Sequence, residues 1–119
     1  QIKKGKAGTR DLLNLFKKDF SVALMIDQRV SEGENIELFG RNAKTTTIPA
    51  QLVKKYKCSI IPVYIERFKN HHFKLYFNKP LKFDDSLTHQ QISLELNKVL
   101  EKMILKNPDQ WIWSHDRWK

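Results

Sequence analysis

Apolar positions recur along the chain in three rhythms, and each predicts a different element. Leu12, Leu13, Leu15 and Phe16 form one side of a short helical pattern that opens at Thr9 and ends in Lys17 and Lys18. Asp11 near its start and the lysines at its end suit the helix dipole, so a helix capped by Thr9 is expected there. Residues 20–26 follow as a nearly unbroken apolar run, which predicts a strand covered on both faces. From Asp27 to Thr45 the chain turns polar, with Gly33 and Gly40, and reads as one long loop. Loops of that length in compact domains commonly carry function.

The second half alternates more sharply. Residues 47–56 predict a helix with Pro49 in its first turn, where a missing N–H costs nothing. Residues 59–66 and 72–78 predict two strands joined by a turn at Asn70-His71, hence a hairpin. In the second strand Phe73, Leu75 and Phe77 share one side, and Lys74 and Tyr76 the other. The strand–helix–strand step from Val22 to Ile65 predicts a crossover between neighbouring parallel strands. The clearest helix comes last. Asp85-Ser86 or Thr88 caps it, Ile92, Leu96, Val99, Leu100 and Met103 keep a helical period, and Asn107-Pro108 ends it. No repeat, low-complexity segment or linker interrupts the pattern, so residues 1–119 are expected to form one α/β unit.

Composition adds a core and a charge. The hydrophobic share is 40% and the aromatic share 11%, enough for a packed interior rather than disorder. No run approaches the roughly 20 apolar residues of a membrane-spanning helix. The basic opening, Gln1-Ile2-Lys3-Lys4-Gly5-Lys6, reads neither as a signal peptide nor as an ordinary N-terminus, and suggests a boundary inside a longer protein. Cys58 is the only cysteine, so it forms no intrachain disulfide, and its expected place is a small buried position at the start of a strand. With 22 Lys and Arg against 13 Asp and Glu the net charge is +9. That balance favours anionic partners: a phospholipid surface, a phosphorylated substrate, nucleic acid or an acidic protein.

Few residues stand out as carriers of chemistry. The four histidines have no zinc-ligand spacing, and Walker A, G-x-G-x-x-G and G-x-S-x-G motifs are absent. Asp27 sits where an apolar strand is expected to emerge into a loop, with Gln28 and Arg29 beside it. Sheets of α/β proteins place ligands at such strand ends, although an aspartate there is also an ordinary turn residue. Gly40 to Thr47 places Arg41, Lys44 and three threonines before a helix start, which suits an anion site or a plain N-cap. All three tryptophans fall in the last nine residues, among cations, and suit either a lipid interface or packing of the tail onto the body. His115-Asp116 is rejected as a catalytic pair, because neighbours on an extended segment point apart.

Met25-Ile26-Asp27-Gln28-Arg29, Leu38-Phe39-Gly40-Arg41, Thr45-Thr46-Thr47, Ile61-Pro62-Val63-Tyr64 and Asn107-Pro108-Asp109-Gln110-Trp111-Ile112-Trp113, with His115, Arg117, Trp118 and Lys119, occur in that order. Together they resemble the C-terminal half of the lipid A lauroyl/myristoyl acyltransferases, over essentially the whole chain. The resemblance implies part of a glycerolphosphate-acyltransferase-like fold, a mixed sheet with flanking helices and a Trp-rich tail. It implies transfer of an acyl chain from acyl carrier protein, or sometimes coenzyme A, to a hydroxyl of a Kdo-bearing lipid A precursor. The implied place is the cytoplasmic face of the bacterial inner membrane, held by an anchor upstream of Gln1. The implied partners are acyl carrier protein, a phosphorylated glycolipid acceptor and an anionic membrane surface, with no cofactor and no nucleic acid.

The family's chemistry rests on an H-x4-D/E motif, whose histidine is the general base on the acceptor hydroxyl. Five residues after His71, His72 and His89 stand Tyr76, Phe77 and Leu94, and His115 has no partner at that spacing. The resemblance therefore places the motif upstream of Gln1. It leaves to this chain half of a cleft: Asp27 in a supporting catalytic role, and Arg10, Gln28, Arg41, Lys44 and Thr45 as substrate-binding residues. Two rivals remain at this stage, an acyltransferase acting on another lipid and a basic nucleic-acid-binding domain.

Overall fold

The computed structural model describes residues 6–18 and 20–119. The basic opening at residues 1–5 lies outside the described residues. The elements are α1 (Lys6–Phe16), β1 (Glu34–Leu38), β2 (Arg41–Thr45), α2 (Ile48–Tyr56), β3 (Val63–Phe68), β4 (His72–Phe77) and α3 (His89–Ile104). Two single 3-10 turns, Pro108–Gln110 and Trp113–His115, shape the tail. The architecture is mixed α/β, with three helices and two small antiparallel hairpins, β1–β2 and β3–β4.

The last helix organises the interior. Thr88 Oγ1 accepts from the Gln91 N–H while the Gln91 side chain accepts from the Thr88 N–H, a capping box that fixes where α3 starts. Ile92, Leu96, Leu100 and Ile104 fall four residues apart and form one buried stripe. Its first half packs on α2 through Ala50 and Val53, and its second half on the first hairpin through Leu38 and Ala43. Val99 and Met103, expected in the core, are only half-buried, because Ile104 takes the stripe's last position. At the helix start His89 Nε2 lies 2.9 Å from Glu34 Oε1. The Gln90 side chain, and then His89, hold the Glu34 carboxyl below its ordinary value.

Three sequence expectations give way here. Residues 20–26 make no strand; Phe20 and Met25 are exposed, and Ile26 alone reaches the cores. A continuous apolar run becomes a strand only where neighbours complete its ladder, and none among the described residues does. The parallel crossover from Val22 to Ile65 is absent for the same reason. The long loop is instead largely the β1–β2 hairpin. Ile36, Leu38, Ala43 and Thr45 alternate inward, and Leu38 pairs with Arg41 around a two-residue turn. Phe39 and Gly40 both have positive φ, 51° and 72°, as a type I′ turn requires. A left-handed Phe costs about 1–2 kcal/mol. The Glu101 carboxylate accepts the Phe39 N–H and helps hold that shape.

The remaining differences are small. α1 already runs through Thr9, so Thr9 does not begin it, and Asp11 falls beyond the first turn. Thr47 precedes α2 without a side-chain cap bond, and Lys57 closes that helix in the left-handed region.

Gly33 is where the hairpin's entry has no room. A Cβ there would stand 2.5 Å from Val30 Cγ2 and 2.8 Å from both the backbone N and O of Thr45. Backbone cannot swing aside as a side-chain tip can. Gly33→Ala is expected to destabilise the chain by about 1–3 kcal/mol, read from the urea midpoint. An unchanged midpoint would mean the entry can move away from Thr45.

Candidate functional site: an apolar groove with one carboxylate

A groove of 310 Å³ opens between the segment before β1, strand β3 and the C-terminal half of α3. Leu24, Ile26, Val63, Leu100, Met103 and Trp111 supply most of its apolar wall. Asp27 is the single acidic residue lining it, and is half-buried. The far wall is pinned by Gln110, whose side-chain amide mimics a peptide. It accepts from the Arg67 N–H at 2.9 Å and donates to the Arg67 C=O at 3.1 Å.

Behind Asp27 lies the molecule's most buried cation. Arg117 is 1% exposed and is the largest fully buried side chain. Its guanidinium donates to the Lys44 C=O and, at 3.0 Å, to Thr45 Oγ1, which ties the tail to β2. Burial pushes the Arg117 pKa down, and the negative field of Asp27 acts in the opposite sense, favouring the charged form. Trp118 completes the clamp by donating from Nε1 to the Leu38 C=O at 3.0 Å. Trp111 and Trp118 pack on the first core cluster in an edge-on pair, while Trp113 stays 49% exposed. The expected clamp is therefore shared between Trp111 and Trp118.

The candidate site residues separate into three places. Asp27 lines the groove, and Gln28 beside it is exposed, its amide facing Met25 Sδ at 3.6 Å. Arg41, Lys44 and Thr45 share β2. Arg41 is exposed with its guanidinium 5.5 Å from the Trp118 ring, and Lys44 is half-buried. Thr45 is 2% exposed, donates to the Ala43 C=O and accepts from Asn97 as well as Arg117. Arg10 is exposed on α1 and does not line the groove.

Two interior polar residues were not singled out by sequence reasoning. Asn97 is fully buried in α3 and donates to the Glu37 C=O at 2.7 Å. The only signal was a polar residue on the apolar stripe of a strongly periodic helix. Arg117 gave no signal beyond its place in the tail motif. Cys58 is half-buried against the second core cluster, and desolvation pushes its thiol pKa up, which disfavours the reactive thiolate. Among the described residues no three His, Cys, Asp or Glu side chains converge as a metal cluster. No helix among them is long and apolar enough to cross a membrane.

The profile of the bacterial lipid A biosynthesis acyltransferases matches residues 2–119, nearly the whole chain. The chain belongs to that family. Membership suggests acyltransferase activity and a place in lipid A biosynthesis. No individual curated protein matches the chain.

Proposed function

We propose that the chain forms the acyl-binding side of an active site that transfers a fatty acyl group from acyl carrier protein to a hydroxyl of a Kdo-bearing lipid A precursor. The observation that carries this reading is the apolar groove with a single carboxylate. Its volume lies at the lower end of ordinary ligand sites, and each methylene it removes from water contributes about 0.8 kcal/mol. An acyl chain lies along Leu24, Val63, Leu100 and Met103, with its thioester at the Asp27 end.

The reaction needs a base that this chain lacks. A histidine of an H-x4-D/E motif, on polypeptide outside the 119 residues, takes the proton of the acceptor hydroxyl. That oxygen attacks the thioester carbonyl, and the carrier's thiol leaves with the proton. Asp27 accepts hydrogen bonds from the acceptor sugar and sets its reacting oxygen. Arg41, Lys44, Gln28 and Arg10 serve the precursor's phosphates, with Arg41 suited to bidentate contact. The basic surface favours both acidic acyl carrier protein and an anionic membrane face on the cytoplasmic side.

The test compares the 119-residue chain with a longer protein that joins it to the histidine motif. Acyl carrier protein thioester and tetra-acylated precursor are supplied to each. Transfer by the longer protein is expected, and none above blank by the 119 residues. Turnover by the short chain would overturn the assignment of the base. Turnover by the longer protein on another lipid alone would overturn the acceptor.

A further inference from the structure

The β3–β4 hairpin is built as though one of its faces were meant to be covered. Val63 pairs with Phe77, Ile65 with Leu75 and Arg67 with Phe73, so these six side chains project from the same face. Their apolar members are open to solvent: Val63 is 39% exposed, Ile65 53%, Leu75 55%, Phe73 56% and Phe77 72%. The opposite face is better served. Tyr64 lies 6.0 Å from Tyr76, with the Lys106 ammonium 5.3 Å from the Tyr64 ring, so this face turns toward the end of α3. A contiguous apolar face of this kind marks a binding surface rather than scattered exposed residues.

Cations surround that face. The Arg67 guanidinium stands 5.7 Å from the Phe73 ring and the Lys74 ammonium 4.3 Å from the Phe68 ring. Between Val63 and Lys79, Glu66 is the one acid against Arg67, Lys69, Lys74 and Lys79. Glu66 is itself occupied, accepting from the Tyr76 hydroxyl at 2.9 Å. Phe68, Lys69, His72 and Phe73 crowd the hairpin end, the aromatic-and-cation composition of a membrane interface. A two-stranded ribbon has no concave seat for a protein helix. A lipid surface needs no such complementary shape.

We infer that the Val63–Phe77 face of the β3–β4 hairpin docks the chain on an anionic bilayer, with the apolar side chains at the headgroup boundary and Arg67, Lys69 and Lys74 on lipid phosphates. This rests on the reading above that the chain works at a membrane, and assigns that contact to one surface. It also sets the groove, which shares Val63 and Ile65, beside the bilayer from which an acylated glycolipid acceptor comes.

The experiment is sedimentation of the 119-residue chain with vesicles of phosphatidylglycerol and phosphatidylcholine, and with phosphatidylcholine alone. Phe73→Ser/Leu75→Ser and Lys69→Gln/Lys74→Gln variants are compared with the parent. All four positions are exposed, and circular dichroism and the urea midpoint verify that each variant folds. The parent is expected to bind the anionic vesicles, and the apolar variant to bind at least about tenfold more weakly. The lysine variant is expected to lose about fivefold per cation removed, and that loss to vanish on neutral vesicles or in high salt. Equal binding by parent and variants overturns the hairpin assignment and leaves membrane contact elsewhere. No binding by the parent overturns the membrane reading and this inference with it. Concentration-dependent self-association abolished by Phe73→Ser/Leu75→Ser, without vesicle binding, overturns it in favour of a second copy. Retention on duplex DNA alone overturns it in favour of nucleic acid.

Discussion

Asp27→Asn, made in a protein that also carries the histidine motif, is expected to lower acyl transfer about 10²-fold while the protein stays folded. Asparagine keeps the shape of the side chain and removes its charge, so the groove's volume survives and its one carboxylate does not. Asp27 is half-buried at the edge of the groove, not locked in a close ion pair. Its loss should therefore move the unfolding free energy by no more than about 1 kcal/mol, the range of partly exposed electrostatic contacts. Both quantities are measured on each preparation, turnover per folded molecule and the urea midpoint. Full turnover in a stable Asp27→Asn protein would remove Asp27 from the site. A collapsed midpoint with turnover retained per folded molecule would make it a structural residue that sustains the Arg117 charge.

Arg117→Ala is expected to have the largest effect on stability, about 3–5 kcal/mol. The substitution deletes the bulkiest fully buried side chain, leaving a cavity where Arg117 now fills the space between β2 and the tail. It also strands two acceptors, the Lys44 C=O and Thr45 Oγ1, in a place water does not reach easily. Total stabilities of domains this size are about 5–15 kcal/mol, so such a loss takes a large share. Arg117→Lys should recover little of it, because one ammonium cannot reach both acceptors in the fork geometry of a guanidinium. Urea unfolding of the three proteins reads the differences. A loss under about 1 kcal/mol for Arg117→Ala would show that the tail is not held to β2 through this side chain.

The distinct origins of the elements explain which of them could be read from residues alone. Helix α3 was legible because both of its signals are local: the Thr88–Gln91 capping box, and apolar residues at the period of one helix face. The β3–β4 pairing was legible too, since the alternation at Phe73, Leu75 and Phe77 and the turn at Asn70 lie within a few residues of each other. Pro49 marked the start of α2 by the same logic. The order of the tail and loop motifs carried the family, which needed no coordinates.

Tertiary structure decided the rest. Residues 20–26 have the composition of a buried strand, yet a strand exists only where another backbone completes its ladder, and here they line a groove instead. The stretch from Glu34 to Thr45 looked polar because alternate residues face water. Its inward set, Ile36, Leu38, Ala43 and Thr45, has meaning only against the C-terminal half of α3. Phe73, Leu75 and Phe77 share a face as their alternation requires, but alternation cannot say whether that face is covered, and it stays open. Arg117 shows the reason most plainly. Arginine is ordinarily a surface residue, and its burial here depends on a carbonyl and a hydroxyl more than 70 residues away in the chain. Local sequence determines what a segment can become; which partner reaches it across the fold determines what it is.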